Sequence, residues 1–188
     1  GSHWRRDGVA RQHVVPMPID PAMTVFTPDD IMAKAHGETL AGKTVVVYDD
    51  DHYYMGGVMA EVMAKAGAKV ILVTPSAYVS DWTRNTLEQG AIHVRLDDLG
   101  VDIRLNRGVT AIRAGEVETN CTYTGRRSAI ACDAVVMVAS RLSEDALCND
   151  LLARQGDWAD AGIKTVKIIG DAAAPSPIAW ATYAGHRY

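Results

Sequence analysis

"VVVYDDDHYYMGGVMAEVMAKAGAKVILV", Val45 to Val73, runs as apolar strand, tight turn, helix and second apolar strand. Thr44 to Tyr48 is nearly continuously apolar, as in a strand buried on both faces. Val58, Met59, Val62, Met63 and Ala66 fall on one helical stripe, and Gly67 closes the helix. Lys69 to Val73 is the next buried strand. Strand, helix, strand at this length implies a parallel crossover, the opening of a dinucleotide-binding unit. The turn breaks the pattern. In a working turn one glycine allows the bend, a second lets the backbone approach the pyrophosphate, and a third lets the helix pack on the strand. Here Asp49 and Asp51 hold the first two positions, and in a loop two residues longer than usual the third glycine survives as Gly56. A carboxylate ~4 Å from a phosphate charge costs on the order of 4 kcal/mol at an effective dielectric near 20. The second strand ends in Thr74-Pro75-Ser76, where an NAD site wants an acid and an NADP site an arginine. With both halves of the recognition pattern missing, NAD(P)H is not expected to bind; a functional NAD(P)H-binding domain is the alternative reading. Asp51 is expected to cap the helix, its acidic neighbours favouring the helix's positive end. A metal on Asp49, Asp50, Asp51 and His52 would need ligands from elsewhere, because consecutive residues in an extended turn point apart.

The 188 residues suit one compact unit or two small ones, and a net charge of −4 with 22% charged and 48% hydrophobic residues describes an ordinary soluble protein, read as cytoplasmic because the N-terminus lacks the apolar core of a signal peptide. No basic patch points to nucleic acid, and no apolar run approaches the ~20 residues of a membrane-spanning helix. Cys121, Cys132 and Cys148 lack metal-ligand spacing and are expected as buried free thiols. Pairing about Gly125 would set Cys121 opposite the region of Ala129, away from Cys132. The histidines at 3, 13, 36, 93 and 186 are scattered and read as solvated or core residues. Gly1-Ser2-His3 reads either as the scar of a cleaved tag or as native sequence.

Elsewhere the chain is punctuated clearly. Residues 9 to 26, with Pro16, Pro18 and Pro21, read as an extended connector. Thr27-Pro28-Asp29-Asp30 starts a helix that Gly37 ends. Thr86 to Leu99 reads as helix and Val101 to Leu105 as a third parallel strand. "GVTAIRAGEVETNCTYTGRRSAIACDAVVMV" then alternates about Gly108, Gly115 and Gly125, an antiparallel meander with a return strand at Ala134 to Val138. Ser143 is expected to cap a helix carrying Ala146, Leu147, Leu151 and Leu152. "VKIIGDAAAPSPIAWATYAGHRY" reads as a buried strand, a Gly-Asp turn, a loop and a last helix that stops at Tyr188.

This order resembles the two-dinucleotide-domain flavoproteins of the glutathione-reductase type, and more closely the C-terminal part of the trimethylamine dehydrogenase and 2,4-dienoyl-CoA reductase family of NADH:flavin oxidoreductases. "GSHWRRDG" resembles the turn that leaves the FAD or ADP domain, "FTPDDIMA" the helix before the inserted NAD(P)H-like domain, "VMVASRLSEDALCNDL" the exit from it, and "IIGDAAAPSPIAWATYAGHRY" the return into the first domain. The resemblance implies an α/β, Rossmann-like three-layer domain of parallel sheet, helices and antiparallel meander. It implies an edge of the FAD/ADP-type domain and connector over 1–41, an NAD(P)H-like domain over 42–140, and a return into the incomplete FAD/ADP-type domain over 141–188. It also implies a parent oxidoreductase acting on an amine or N-methyl compound, with FMN and an iron–sulfur cluster carried outside this chain. FAD or ADP would meet Gly170 and Asp171, whose carboxylate accepts from ribose or ribityl hydroxyls; the alternative is a turn aspartate that caps its own loop. With Gly56, these are the cofactor-site residues. No nucleophile–base pair is legible, so no catalytic residue is assigned. For the fragment alone a non-catalytic role is expected, either architectural or as a dock for an electron-transfer protein at Trp82, which otherwise reads as a partly buried tryptophan; the remainder of the parent chain, with its flavin barrel, is the other implied partner.

Overall fold

The computed structural model of the chain describes residues 1–33 and 40–188, and these divide into two compact units, Trp4–Ser140 and Gly1–His3 with Arg141–Tyr188. The larger unit is built on strands β2 (Thr24–Phe26), β3 (Thr44–Asp49), β4 (Lys69–Val73), β5 (Asp102–Arg104) and β9 (Ala134–Val138). They form a five-stranded parallel sheet in the order β2-β9-β3-β4-β5. The apolar runs are explained by burial on both faces. Val45, Val47, Ala134, Val136 and Leu72 point to one side, where helix α2 (Tyr54–Lys65) contributes Met59, Ala60 and Met63 and helix α3 (Gln89–Asp98) contributes Leu96. Val46, Tyr48, Val135, Met137 and Val73 point to the other, against Val109, Ile112, Val117 and Ile130 of the three-stranded antiparallel meander β6 (Arg107–Arg113), β7 (Glu116–Cys121) and β8 (Arg127–Ala131). The larger unit is thus mixed α/β with a parallel sheet as its centre layer.

Several expectations change at the level of contacts. The connector over 9 to 26 ends in a true edge strand, β2, in register with β9 from Thr24 opposite Ala134 to Phe26 opposite Val136. Three residues are too few for a periodic signal. On α2 the buried stripe is Gly56, Met59, Ala60 and Met63, while Val58 and Val62 are exposed; the buried face is turned one residue from the one the valines mark. After a 3-10 turn over Asp81–Arg84, α3 starts at Gln89, not Thr86, because Leu87 at φ 62° interrupts the helical path between them.

Helix α1 (Pro28–Met32) begins as expected, with the Thr27 amide and hydroxyl donating to Asp30 Oδ2 at 2.7 and 3.0 Å. Its expected end at Gly37, like His36, lies outside the described residues. Gly67 at φ 86° closes α2. Cys121 lies beside Arg126, whose carbonyl accepts its amide, rather than near Ala129. All three cysteines are free, and Cys132 alone is buried.

β1 (Ser2–Trp4), of which Ser2 and His3 belong to the smaller unit, pairs with β10 (Arg141–Ser143). Ser143 therefore ends a strand, and helix α4 (Ala146–Ala153) takes Asp145 as its N-cap. The expected strand before Gly170 is not formed: 163–169 is unpaired and partly exposed. A strand needs a neighbour to bond, and none of the described residues supplies one. Gly170–Ala172 forms a 3-10 turn and Ile178–Arg187 helix α5, which buries no residue and exposes Ile178, Trp180 and Tyr183. Among the described residues no helix is long and apolar enough to cross a membrane.

Candidate functional site

In a doubly wound sheet, ligands bind beyond the carboxyl ends of the strands where the chain order reverses. Here that point lies between β3 and β9, since β3 leads through α2 to β4 on one side and meets β9 on the other. The aspartate turn occupies it. The Asp50 and Asp51 amides both donate to the Val138 carbonyl at the end of β9, at 2.9 and 3.2 Å. Asp49 and Asp50 are fully buried. The His52 amide donates to Asp49 Oδ1 at 2.9 Å, while Oδ2 has no hydrogen-bond partner. Asp50 Oδ2 accepts the Gln12 amide at 2.8 Å, and Oδ1 lies 3.4 Å from His52 Nε2 without hydrogen-bond geometry.

Gly56 explains why this packing is tolerated. A Cβ there would lie 2.6 Å from the Asp49 Cβ and closer still to the carboxyl group. The glycine in the helix's first turn admits a carboxyl of the chain itself at the place where a nucleotide fold admits phosphate. Gly57 works similarly, since a Cβ would meet Ser80 Oγ at 3.0 Å. The expected cap by Asp51 is not made: Tyr53 is the N-cap of α2 and makes no side-chain cap bond. His52 takes φ 66° before the helix starts, and the Asp49 side chain lies against Gly56 in the helix's first turn. No group of His, Cys, Asp and Glu among the described residues has the geometry to hold a metal. Thr74 is buried at the end of β4, and beside the turn Arg11, His52, Asp81, Trp82, Arg84 and Asn85 line an open polar hollow of about 480 Å³.

The second group of residues lies in the smaller unit. Gly170 takes φ 63°, where a side chain would be strained. Asp171 Oδ2 accepts Ser2 Oγ at 3.1 Å and Arg141 Nη1 at 3.0 Å, and Oδ1 accepts the Ser176 amide at 3.1 Å. Asp171 therefore both closes its own loop and joins the two ends of the unit. A carboxylate offers about four lone-pair sites, so three donors leave room for one further hydroxyl. Ser2 and Arg141 were not marked by the sequence, since each is remote from Asp171 along the chain. The structure thus places Gly56 in the larger unit and Gly170 with Asp171 in the smaller, each in its own cluster.

The larger unit is thus a mixed α/β domain whose parallel sheet has the chain's own carboxyls buried at its switch point. The family model described as OYE-like second alpha/beta domain matches residues 26–133, and the chain belongs to that family. A dimethylamine dehydrogenase of Hyphomicrobium sp. (strain x) is 31% identical over an alignment 207 residues long that covers all of this chain and 28% of that protein. The solved histamine dehydrogenase from Rhizobium sp. 4-9 is 90% identical with a TM-score of 0.97, over all of this chain and 29% of that one. The 6-hydroxypseudooxynicotine amine oxidase of Pseudomonas geniculata N1 is 38% identical with a TM-score of 0.89, over all of this chain and 27% of that one. The chain therefore spans under a third of the length of each relative.

Proposed function

We propose that this chain is the C-terminal part of a flavin-dependent amine dehydrogenase of the NADH:flavin oxidoreductase family, similar to trimethylamine dehydrogenase. In this reading 42–140 is a Rossmann-like domain of the glutathione-reductase type, and the opening residues with 141–188 are the edge of an FAD/ADP-type domain. The observation that carries it is the 90% identity to a histamine dehydrogenase over the whole chain. The parent oxidises an amine at an FMN, with an iron–sulfur cluster, both held by residues outside this chain. Histamine is the first substrate to test, and dimethylamine, an N-methyl amine, the second. The chain contributes no catalytic residue.

Its nucleotide turn does not fit NAD(P)H. Two fully buried carboxyls and the Gln12 amide fill the approach that a pyrophosphate needs, and a phosphate brought against them meets the like-charge penalty in a site closed to water. At Gly170 and Asp171 the remaining acceptor capacity fits one ribose or ribityl hydroxyl of FAD or ADP, with Ser2 and Arg141 holding the carboxylate in place. The half-exposed Trp82, edge-on to Tyr53 with ring centroids 6.2 Å apart, favours a second role for the larger unit as a dock for an electron-transfer protein.

The test uses the intact protein. Anaerobic addition of histamine should bleach its flavin spectrum, and NADH should neither bleach it nor give saturable binding in the micromolar range. Failure of histamine, dimethylamine and related amines to reduce the flavin would sink the amine reading. Micromolar NADH binding would sink the closed turn.

A further inference from the structure

We propose that Asp49 is a proton-binding site: its carboxyl seals the switch-point crevice as the neutral acid and loses its proton at the expense of the turn's packing. The inference rests on the geometry of the turn and is independent of what the parent oxidises.

Three carboxyls follow one another at Asp49, Asp50 and Asp51, and the first two have no exposed surface. Their surroundings differ. Asp50 has a backbone donor on one oxygen; its other oxygen makes no hydrogen bond but has a histidine nitrogen 3.4 Å away. Asp49 has one backbone donor on Oδ1, and Oδ2 has none. Beside that carboxyl lies the Cα of Gly56, an apolar wall left by the missing Cβ. A buried anionic oxygen without a donor is far more costly than a buried neutral hydroxyl, so the proton belongs on Asp49 Oδ2.

The charges facing it come from its own turn: His52, which favours the anion, and Asp51 and Asp50, which oppose it. Of the segments in contact with the turn, β9 presents the Val138 carbonyl, α2 presents Gly56, and residues 12 and 82 present the Gln12 and Trp82 backbone amides, none of them ionisable. Arg11, Asp81 and Arg84 line the neighbouring hollow with His52. The Tyr48 phenol, pushed up by burial and then by Asp50, stays neutral. Burial pushes the Asp49 carboxyl up to about 7, against the opposing pull of the His52 amide. The exchange is simple: solvent water takes the proton from Oδ2 and leaves a carboxylate against the first turn of α2.

The test is infrared difference spectroscopy of the intact protein, wild type minus Asp49→Asn, across pH 5 to 9. The expected result is the carbonyl stretch of a protonated carboxylic acid at low pH, fading to the carboxylate stretch with a midpoint near 7, and still present in Asp51→Asn. Wild-type protein labelled with carbonyl-13C aspartate gives the same titration should Asp49→Asn fail to fold. A carboxylate stretch throughout the range overturns the proposal. So does a protonated band that disappears in Asp50→Asn and persists in Asp49→Asn.

Discussion

Gly56 and Asp49 form one packing unit, and single substitutions resolve it. Gly56→Ala places a methyl inside the Asp49 side chain at a buried site, so a loss of about 1–3 kcal/mol is expected in chemical denaturation. Adding Asp49→Ala should recover most of that loss, which a double-mutant cycle reads directly. Asp171 is tied to Ser2, Arg141 and Ser176. In the intact protein Asp171→Ala should lower retained ADP or FAD about ten- to a hundredfold through loss of a charged acceptor. Equal nucleotide content in wild type and variant after identical purification would leave Asp171 as a loop anchor only. The cysteines separate by environment. Hydrogen bonds from Thr124, its side chain before its backbone, bring the Cys121 thiol down to about 7, while burial pushes Cys132 up to about 11. A thiol-alkylating reagent at pH 8 should label Cys121 well before Cys132, as peptide mass spectrometry would show.

Helix α2 carries two kinds of apolar residue that look alike in sequence. Met63 is fully buried among Val45, Leu72 and Leu96, while Val62 is exposed. Met63→Ala should cost about 2–5 kcal/mol, and Val62→Lys should change stability by no more than about 0.5 kcal/mol; equal effects of the two in denaturation would refute the assignment of the buried stripe. The stripe read from sequence included Val58 and Val62 because a period of 3.6 defines a face but not which edge of it meets the sheet. Helix α1 was legible at its start because Thr27, Pro28 and Asp30 act through bonds a few residues apart. The strand expected before Gly170 failed for the opposite reason, since an apolar run becomes a strand only beside a second one.

For the whole molecule, the raised Asp49 carboxyl sets a sign for pH dependence. In the unfolded chain it ionises in the ordinary carboxylate range, near pH 4, and in the folded domain only near 7. Between those values the folded state binds the extra proton, so stability falls as pH rises and levels off above about 7. Asp49→Asn, which stays neutral, should match wild type near pH 4 and exceed it by a growing margin up to pH 7, read as the difference in melting temperature of this domain in the intact protein. A margin that does not vary with pH would mean that Asp49 ionises alike in both states.

By itself the sequence determined the parallel strand–helix–strand unit, the meander inserted before the β9 return strand, the start of α1 and the run of aspartates in the turn after β3. All of these depend on spacing, turn chemistry and capping within a short span of chain. The tertiary structure alone decided that Thr24–Phe26 joins the sheet, that Asp49 packs against Gly56 of α2, that the Gln12 amide closes on Asp50, and that Ser2 and Arg141 hold Asp171. Local hydrogen bonding and periodicity are encoded by neighbours along the chain, whereas burial of a carboxyl depends on which distant segment covers it and which donor that segment brings.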